Sequence, residues 1–397
     1  MNGILDANYI KVCRITPQDG GQYFYGYYDN LAFHPSKELH LCHKVSFMNR
    51  LPNSEDTCEL GVLNLKTKEY KPCAATKAWN FQQGAMLQWN PADSDEILYN
   101  SYKDGEYYGV VKNIYSGTER ILDQPLANVS PDGRWGLSIN FNRVFDFRPG
   151  YGYCNREDPW KNYNAPQGDG VFLIDMQTGK SKQIITYEQL GLLYNEDGGG
   201  KKDYKIVINH ITFNRESNRF LFLVRSFPDT EGVWKTGLGT CDLDGNIYKL
   251  RPYTYASHYY WGSNGTLLIY ADCGAGEGLY ELQDKTQNFK LYDKEVFHED
   301  IHCSYSPDGK WIIGDGYPDS EEYRPVYLYH IKTKKGGVIG RFYSPDLMNT
   351  DIRSDLHCRW NSSGTCVSFD SIHEGFRGIY MMDLTQAMRR IENQGGK

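Results

Sequence analysis

The feature that most constrains this chain is a short hairpin motif that recurs seven times. Its clearest copy runs from Ile301 to Asp315, where two apolar strands flank the turn Ser306-Pro307-Asp308-Gly309. Proline presets the first central position of such a turn and Asp-Gly tolerates the tight backbone after it, so the flanking strands are predicted to pair. The residue just before each turn marks the repeats: Phe33, Trp89, Val129, Phe213, Trp261, Tyr305 and Trp360.

A second series of apolar strands follows the hairpins in phase. These strands lie at 61–63, 109–111, 170–172, 237–239, 278–280, 326–328 and 378–380. Repeats of about 40 to 50 residues built from short strands are typical of β-propeller blades. We therefore predict an all-β fold, a single closed seven-bladed β-propeller over residues 1–397. Tyr9–Ile15 is predicted to pair with 379–384 in the last blade, because ring closure removes exposed strand edges.

One spacing between hairpins is abnormal. Val129 and Phe213 are 84 residues apart, whereas the other spacings are 40 to 56 residues. We predict an insertion over 144–206, between blades three and four, with a short helix at Tyr187–Tyr194 and a turn at Gly198–Lys202. Long insertions in a closed scaffold are most often binding loops or lids, so a substrate loop is expected here, with a purely decorative loop as the alternative.

Composition excludes several classes of protein. The net charge is −7, with acidic and basic residues interspersed, so no basic stripe suggests a nucleic-acid partner. No apolar run approaches the roughly 20 residues that span a bilayer, and the first residues do not resemble a signal peptide. The ten cysteines form no C-x-x-C motif, which favours free thiols in a reducing compartment. We predict a cytoplasmic protein without membrane partners; its oligomeric state stays open.

Four histidines occupy one register of the repeat. The residues three positions before the hairpin markers are, in order, Asn30, Met86, Leu126, His210, His258, His302 and His357. The innermost strand of each propeller blade lines the central channel, so equivalent positions form a ring around the axis. The four histidines are therefore predicted to converge at one mouth of the channel.

A second ring of polar residues is predicted at the same level, where each hairpin's returning strand ends. Its members are His43, Asn100, Asn140, Arg225, Asp272, Asp315 and Asp370. Imidazoles beside carboxylates suit a divalent cation and equally suit proton transfer. The alternative is structural, since a lone histidine at a strand start usually bonds a neighbouring carbonyl. Cys303 and Cys358 follow two of the histidines and are read as packing residues, with a zinc site through them as the alternative.

The hairpins resemble those of known families. The repeated S-P-D-G-[KR]-W turns are similar to TolB-type propeller repeats. The sequences H-C-S-Y-S-P-D-G-K-W and D-L-H-C-R-W-N-S-S-G resemble those of seven-bladed propeller polysaccharide lyases, namely the oligogalacturonate lyases and, more distantly, the ulvan lyases. The resemblance extends from Phe33 to the C-terminus and is clearest over 206–374.

This resemblance implies β-elimination on a uronate-containing acidic oligosaccharide or polysaccharide. It further implies a divalent metal, with manganese expected and zinc or calcium as alternatives, held by histidines and a side-chain amide. By register, His302 and His357 match the metal ligands, His258 the catalytic base and Arg225 the neighbouring arginine. Asp355 stands where a further histidine is expected and Ile352 where the amide is expected, so Asp355 is the third predicted ligand. Gln82-Gln83 occupies the place of an early catalytic histidine in the ulvan lyases.

The chemistry of such a lyase suggests further roles. The C5 proton of a uronate leaves only if the adjacent carboxylate is neutralised by a cation or an arginine, and a base must then take it. His258 or His210 is the predicted base, and Tyr151 or Tyr153 the predicted proton donor or sugar-stacking residue. The residues predicted to bind substrate are Lys44, Gln83, Arg148, Tyr151 and Arg353, and Arg143 is also expected near the mouth.

Two other classes of function remain open at this stage. A propeller can bind a carbohydrate or a protein without catalysing a reaction, since the fold alone implies no function. A glycoside hydrolase would use a carboxylate pair, which Asp272, Asp315 and Asp370 could supply. A serine peptidase is disfavoured because no G-x-S-x-G motif follows the blades.

Overall fold

Seven four-stranded antiparallel sheets follow one another along the chain, as the repeats predicted. The computed structural model describes residues 10–195, 203–345, 347 and 350–393. Blade one contains β2 (Gln22–Phe24), β3 (Leu39–Val45), β4 (Cys58–Asn64) and β5 (Tyr70–Thr76); blade two, β6 (Gln88–Trp89), β7 (Glu96–Lys103), β8 (Glu106–Asn113) and β9 (Glu119–Leu122); blade three, β10 (Asn128–Val129), β11 (Trp135–Ser138), β12 (Gly170–Asp175) and β13 (Ser181–Thr186).

The remaining four blades repeat this order from the channel outwards. Blade four contains β14 (Ile206–Phe213), β15 (Arg219–Ser226), β16 (Thr236–Asp242) and β17 (Ile247–Thr254); blade five, β18 (Ala256–Trp261), β19 (Thr266–Asp272), β20 (Glu277–Gln283) and β21 (Phe289–Leu291); blade six, β22 (His302–Tyr305), β23 (Trp311–Asp315), β24 (Tyr323–His330) and β25 (Lys335–Tyr343); blade seven, β26 (Arg359–Trp360), β27 (Cys366–Ser371), β28 (Gly378–Asp383) and the early strand β1 (Lys11–Arg14).

The ring closes through strands from distant parts of the chain. β1 lies antiparallel to β28, with Lys11 opposite Asp383 and Arg14 opposite Tyr380. The pairing covers the outer edge of β28, which would otherwise expose a row of backbone donors and acceptors. The predicted closure of the propeller is confirmed.

The hairpin turns form as their residues dictate. In blade six the Ser306 hydroxyl donates to Asp308 at 2.6 Å and accepts from the Trp311 backbone N–H at 3.0 Å. Gly309 has a φ of +70°, which a glycine adopts without a steric penalty. Trp311 begins the returning strand and is buried. Asp308 is therefore a turn residue, as the sequence indicated.

The inner strand of blade one is interrupted. Only an isolated bridge pairs Phe33 with His40, and β2 ends at Phe24. Residues 25–31, here called the crossing segment, leave the sheet and cross the channel, where the Tyr28 hydroxyl donates to the Tyr259 carbonyl of blade five at 2.8 Å. Asn30, predicted as the blade-one member of the histidine register, lies in this segment instead.

The extra residues between Val129 and Phe213 form two separate connections. Residues 139–169, which include the helix α1 (Phe141–Phe147), lie between β11 and β12, within blade three. A second connection, 187–205, contains α2 (Tyr187–Tyr194) at the predicted residues, begun by a capping box between Thr186 and Gln189. The predicted range 144–206 therefore contains the two outer strands of blade three as well as loops. The predicted turn at Gly198–Lys202 lies outside the described residues.

The apolar faces of the sheets pack between neighbouring blades. Trp89, Trp261 and Tyr305, three of the hairpin markers, are buried. Cys303 and Cys358 are buried in the core clusters, and all ten cysteines are free thiols. A third helix, α3 (Thr385–Asn393), follows β28, and Thr350–Ile352 forms one 3-10 turn. In the described part of the chain, every helix is too short or too polar to cross a membrane.

Candidate functional site

Three histidines from consecutive blades lie in ring contact at one end of the channel. The ring centroids of His258 and His302 are 4.0 Å apart, and those of His302 and His357 are 4.4 Å apart. Each stands at or near the start of the inner strand of its blade, because the three hairpins share one register. All three side chains are buried.

His302 is oriented by a carboxylate on the strand beside it. Its Nδ1 lies 2.9 Å from the Oδ2 atom of Asp315, the residue directly opposite it in the blade-six hairpin. Asp315 also accepts the backbone N–H groups of Leu356 and Cys358 at 3.2 Å each. Because the Asp315 carboxylate accepts hydrogen bonds, His302 Nδ1 must donate to it and therefore carries the proton. The His302 Nε2 atom then presents its lone pair.

His357 is oriented by the crossing segment. Its Nδ1 donates to the Gly26 carbonyl at 3.0 Å, which leaves the Nε2 lone pair free to bind. The His357 backbone has a φ of +48°, in the left-handed region that non-glycine residues rarely occupy. Gly26 itself has a φ of +110°, and a Cβ atom there would lie 2.9 Å from the Gln83 carbonyl carbon. The 80–84 loop therefore fixes Gly26, and Gly26 fixes His357.

Asp355 lies between these histidines and two arginines. Its Oδ1 is 2.8 Å from the Nη2 of Arg324 and accepts the Nε–H of Arg353 at 3.0 Å. Burial opposes ionisation, but the two guanidinium groups hold the pKa of Asp355 well below its usual range. Asp355 is therefore a buried carboxylate anion.

His302, Asp355 and His357 form a group suited to a metal ion. One ligand atom from each lies within 4.8 Å of the others. Asp355 Oδ2 is 3.9 Å from His302 Nε2 and 4.0 Å from His357 Nε2. The two buried histidine nitrogens have no hydrogen-bond partner among the described residues, whereas Asp355 Oδ2 also lies 2.8 Å from Arg353 Nη2. Burial also lowers the pKa of both histidines well below the usual value, which keeps them in the neutral form that binds metals.

His258 belongs to a hydrogen-bonded pair beside this group. Its Nδ1 lies 3.0 Å from Asp300 Oδ1, and the Ser257 hydroxyl donates to Asp300 Oδ2 at 2.6 Å. Burial opposes ionisation of Asp300, but His258 and these hydrogen bonds hold its pKa below the usual value. An ionised Asp300 can only accept, so Nδ1 carries the proton and Nε2 of His258 is the basic nitrogen.

His210 and Arg225 form the blade-four side of the site. The His210 ring stacks on Tyr27 at 4.8 Å, and its Nε2 is 3.4 Å from the Tyr27 hydroxyl. Burial and then Arg225 lower the pKa of His210 well below the usual value, so it is neutral. The Nε atom of Arg225 is buried and finds no hydrogen-bond partner in the described part of the chain. Arg225 is therefore a cation available to an anionic ligand.

Aromatic and basic side chains cover the site. The Arg353 Nη2 donates to the Tyr151 hydroxyl at 2.9 Å, and the Arg148 guanidinium lies 4.6 Å from the Tyr151 ring. Tyr317 lies 5.9 Å from His302 between ring centroids. The Gln82 side-chain amide donates to the Arg353 carbonyl at 2.9 Å, which fixes the cover to the blade-two loop. Tyr151 is 1% exposed, so the cover is closed.

Three predicted residues have other surroundings. Tyr153 is fully buried, stacks on Phe141 at 4.3 Å and accepts from the Asn100 amide at 2.9 Å. Lys44 donates to Asp19 at 2.7 Å on the surface of blade one. The Gln83 backbone N–H donates to the Asn80 side-chain oxygen at 2.7 Å in the loop that supports Gly26.

Arg143 also serves the fold. Its Nε donates to the Ile206 carbonyl at 2.7 Å, and its Nη1 lies 3.4 Å from Asp158, with both side chains fully buried. These bonds tie α1 to the loops around it, so Arg143 belongs to the scaffold of the insertion.

Sequence reasoning missed several residues of this site. They are Tyr27 and Tyr28 of the crossing segment, Asp300, Tyr317 and Arg324. Asp300 precedes His302 by two positions, so the register of the hairpins could have identified it. Arg324 belongs to the third strand of its blade, where no periodic signal separates it from any other charged residue.

Comparison with known proteins agrees with the fold. No protein-family profile matches this sequence, and no curated protein matches it. Among solved structures, an oligogalacturonate lyase in complex with manganese is similar at a TM-score of 0.67 and 15% identity, over 94% of this chain and 92% of that one. An oligogalacturonate lyase from Vibrio parahaemolyticus gives 0.65 and 15%, over 94% of each chain. A xyloglucanase from Xanthomonas campestris gives 0.50 and 11%, over 91% of this chain and 52% of that one. The fold is therefore that of the seven-bladed propellers to which the oligogalacturonate lyases belong, as the hairpin motifs predicted.

Proposed function

We propose that this protein is a metal-assisted lyase that cleaves uronate-containing oligosaccharides or polysaccharides by β-elimination. The observation that carries the proposal is the convergence of two buried histidine nitrogens, unpartnered within the described residues, and one buried carboxylate oxygen, beside the His258–Asp300 pair. The similarity to oligogalacturonate lyase structures supports the scaffold, and the chemistry is inferred from the residues.

His302, His357 and Asp355 would hold the cation. Two imidazoles and one carboxylate suit Mn²⁺ or Zn²⁺ better than Ca²⁺, which prefers oxygen ligands. Three protein ligands leave coordination positions for a substrate, as in catalytic rather than structural sites. When bound, the cation would neutralise the substrate carboxylate as a Lewis acid.

The arginines prepare the site for an anion. Arg324 and Arg353 both pair with Asp355, so the two guanidinium groups exceed that carboxylate by one positive charge. Arg225 adds a further cation with an unpartnered Nε, as described above. A uronate carboxylate entering the site would meet this positive charge, and negative charge that develops on it during proton removal would be stabilised.

His258 is placed to act as the base. Its Nε2 would accept the C5 proton, and the C5–H electrons would form the C4–C5 double bond as the C4–O4 bond breaks. Asp300 would stabilise the resulting imidazolium. Its hydrogen bond to Nδ1 already fixes the orientation of the ring. The departing O4 atom needs a proton, for which Tyr151 or water is the proposed source. His210, neutral and stacked on Tyr27, remains the second proposed base.

Substrate entry requires the cover to move. Tyr151 and Arg353 close the site, while Arg148 lies over the Tyr151 ring. We propose that a substrate chain displaces this cover, which then contacts the sugar through Tyr151, Arg148 and Arg353. Lid movements of this kind exclude water and complete many catalytic sites.

The hydrolase alternative receives less support from the geometry. Asp315 accepts from His302 and two backbone N–H groups. Asp370 binds the Arg359 guanidinium at 2.7 Å and the backbone N–H groups of Tyr25 and Gly26. Neither carboxylate is free to flank a scissile bond. A binding propeller without activity remains the principal alternative.

The test is an elimination assay on a panel of uronate oligosaccharides, with added Mn²⁺ and with a chelator. Ultraviolet absorbance reports the new double bond conjugated to the carboxylate. We expect metal-dependent elimination that is lost in His302→Ala together with metal binding. His258→Ala should lose elimination by about 10²- to 10⁴-fold while still binding metal. The control is His330→Ala, a buried histidine bonded to Thr333 in the outer part of blade six. Cleavage without a new double bond would indicate a hydrolase, and neither activity nor metal binding would indicate a binding protein.

A further inference from the structure

A cavity lies at the end of the channel opposite the histidines. It has a volume of about 510 Å³ and is lined by the hairpin-turn residues Pro91, Pro131 and Pro307. An adjoining cavity of about 280 Å³ shares Asp29, Arg215 and other lining residues with it. Tyr28 of the crossing segment lines the larger cavity, and its ring lies 5.9 Å from those of His302 and His357. The crossing segment therefore separates this lower cavity from the histidine site.

The polar lining of the lower cavity follows from the blade register. Residues two positions after the histidine register face the channel one layer deeper, because side chains alternate along a strand. Six of the seven residues carry a polar group, and each of them lines one of the two cavities: Gln88, Asn128, Thr212, Tyr260, Ser304 and Arg359. The seventh, Ala32, lines the larger cavity and is apolar. Inner strands that merely filled a closed channel would present apolar side chains here.

Four polar atoms in this lining lack hydrogen-bond partners within the described residues: Asn30 Oδ1, Gln88 Nε2, Ser304 Oγ and Trp360 Nε1. Asn30 is 6% exposed, Gln88 3% and Ser304 2%. An unsatisfied buried polar group costs about 1–3 kcal/mol, and a polar occupant of the cavity that reached these atoms would recover part of this cost.

The chemistry of the lining identifies the class of occupant. The unpartnered set contains both donors and an acceptor, which hydroxyl groups can satisfy because they donate and accept. Trp360, which is partly exposed, supplies a flat apolar wall of the kind that packs against the C–H face of a sugar ring.

The charges of the lining balance. Arg359 is paired with Asp370 at 2.7 Å, and the lining carries one further cation, Arg215, and one anion, Asp29. A lining without excess charge favours an uncharged ligand. The histidine site, in contrast, carries excess positive charge.

We infer that the lower half of the channel is a second ligand site, which binds a neutral saccharide of one or two rings. The inference does not depend on the proposed lyase activity, since no atom of the histidine cluster contributes to it.

The test is saturation-transfer NMR and calorimetric titration of the full chain with D-galactose, D-glucose, D-xylose, L-rhamnose and lactose. A chelator is present throughout, so that metal-assisted binding at the histidine site does not contribute. We expect at least one sugar to bind saturably. Ser304→Ala and Trp360→Phe should each weaken it by about 2- to 10-fold, the effect of losing one hydrogen bond. Ser304→Ala removes an unpartnered hydroxyl, so the fold should survive.

The matched control is Ser138→Ala, which removes another buried and unpartnered hydroxyl that does not line the cavity. It should leave sugar binding unchanged. The inference is overturned if none of the five sugars binds, or if binding is unaffected by both cavity variants. It is also overturned if His302→Ala abolishes the binding, or if galacturonate is preferred to every neutral sugar.

Discussion

Asp315→Asn tests how the fold orients His302, one of the proposed metal ligands, without replacing any of those ligands. Three donors face the Asp315 carboxylate: His302 Nδ1–H and the backbone N–H groups of Leu356 and Cys358. An asparagine offers one oxygen and one NH₂ group at this position. If the oxygen keeps the Cys358 bond, the NH₂ group faces His302 Nδ1, which must then accept, and the proton moves to Nε2. A protonated Nε2 cannot bind a metal.

The expected loss of Mn²⁺ or Zn²⁺ affinity is about 10- to 100-fold, or about 1.4–2.8 kcal/mol, the usual effect of removing a carboxylate that orients a ligating histidine. The unpaired Leu356 N–H should lower the free energy of unfolding by about 1–3 kcal/mol. Calorimetric metal titration with a competing chelator measures the first quantity and urea unfolding the second. Asp308→Asn, in the exposed turn of the same hairpin, is the control. If folded Asp315→Asn binds metal within twofold of the wild type, the orientation argument is refuted.

Three further predictions concern the charged residues Asp29, Arg324 and Lys44. Burial raises the pKa of Asp29 to about 6, above the usual 3.8, so its ionisation opposes folding. Asp29→Asn should match the wild type below pH 4 and become progressively more stable up to pH 6, by at most about 3 kcal/mol at pH 7. Arg324→Met removes one partner of buried Asp355 and should lower the free energy of unfolding by about 3 kcal/mol. Lys44→Ala removes a surface pair with Asp19 and should change the free energy of unfolding by less than about 1 kcal/mol and leave elimination unchanged.

Urea unfolding between pH 4 and 7.5 checks all three stability predictions, and the ultraviolet assay checks the Lys44 variant. A constant difference between Asp29→Asn and the wild type across this pH range would show that the Asp29 carboxyl titrates normally. Unchanged stability in Arg324→Met would show that Arg353 alone satisfies Asp355. Loss of elimination in Lys44→Ala would support the predicted substrate-binding role of Lys44.

The blades could be predicted because their signal is local and repeated. Each hairpin has turn-forming residues of its own, so seven weak patterns in phase identified the architecture. The same patterns placed His258, His302 and His357 on equivalent strands. The pairing of His302 with Asp315 followed from the same hairpin register. Asp355 was predicted as a ligand only through the resemblance to the oligogalacturonate lyases, and the structure places its carboxylate near His302 and His357.

The crossing segment could not be predicted in this way. Gly26-Tyr27-Tyr28-Asp29-Asn30 reads like the approach to a strand, and its position is decided by contacts with His210 and Tyr259, more than 180 residues later. The closed cover depends similarly on Arg353 meeting Tyr151, about 200 residues away. Local sequence patterns do not indicate such long-range contacts, so Tyr27, Tyr28 and Tyr317 were not predicted as residues of the site.

The pairing of β1 with β28 has a consequence for biosynthesis. β1 leaves the ribosome before the other strands of the propeller, while its partner β28 is made about 370 residues later. Blade seven therefore cannot be completed until β28 has emerged, whereas blades one to six can each form from contiguous chain. Until β1 pairs with β28, both strands leave backbone groups unpaired, which favours aggregation. Closure by this pair is thus a late step, and substitutions that weaken it should reduce the yield of folded protein more than they reduce the stability of the finished ring.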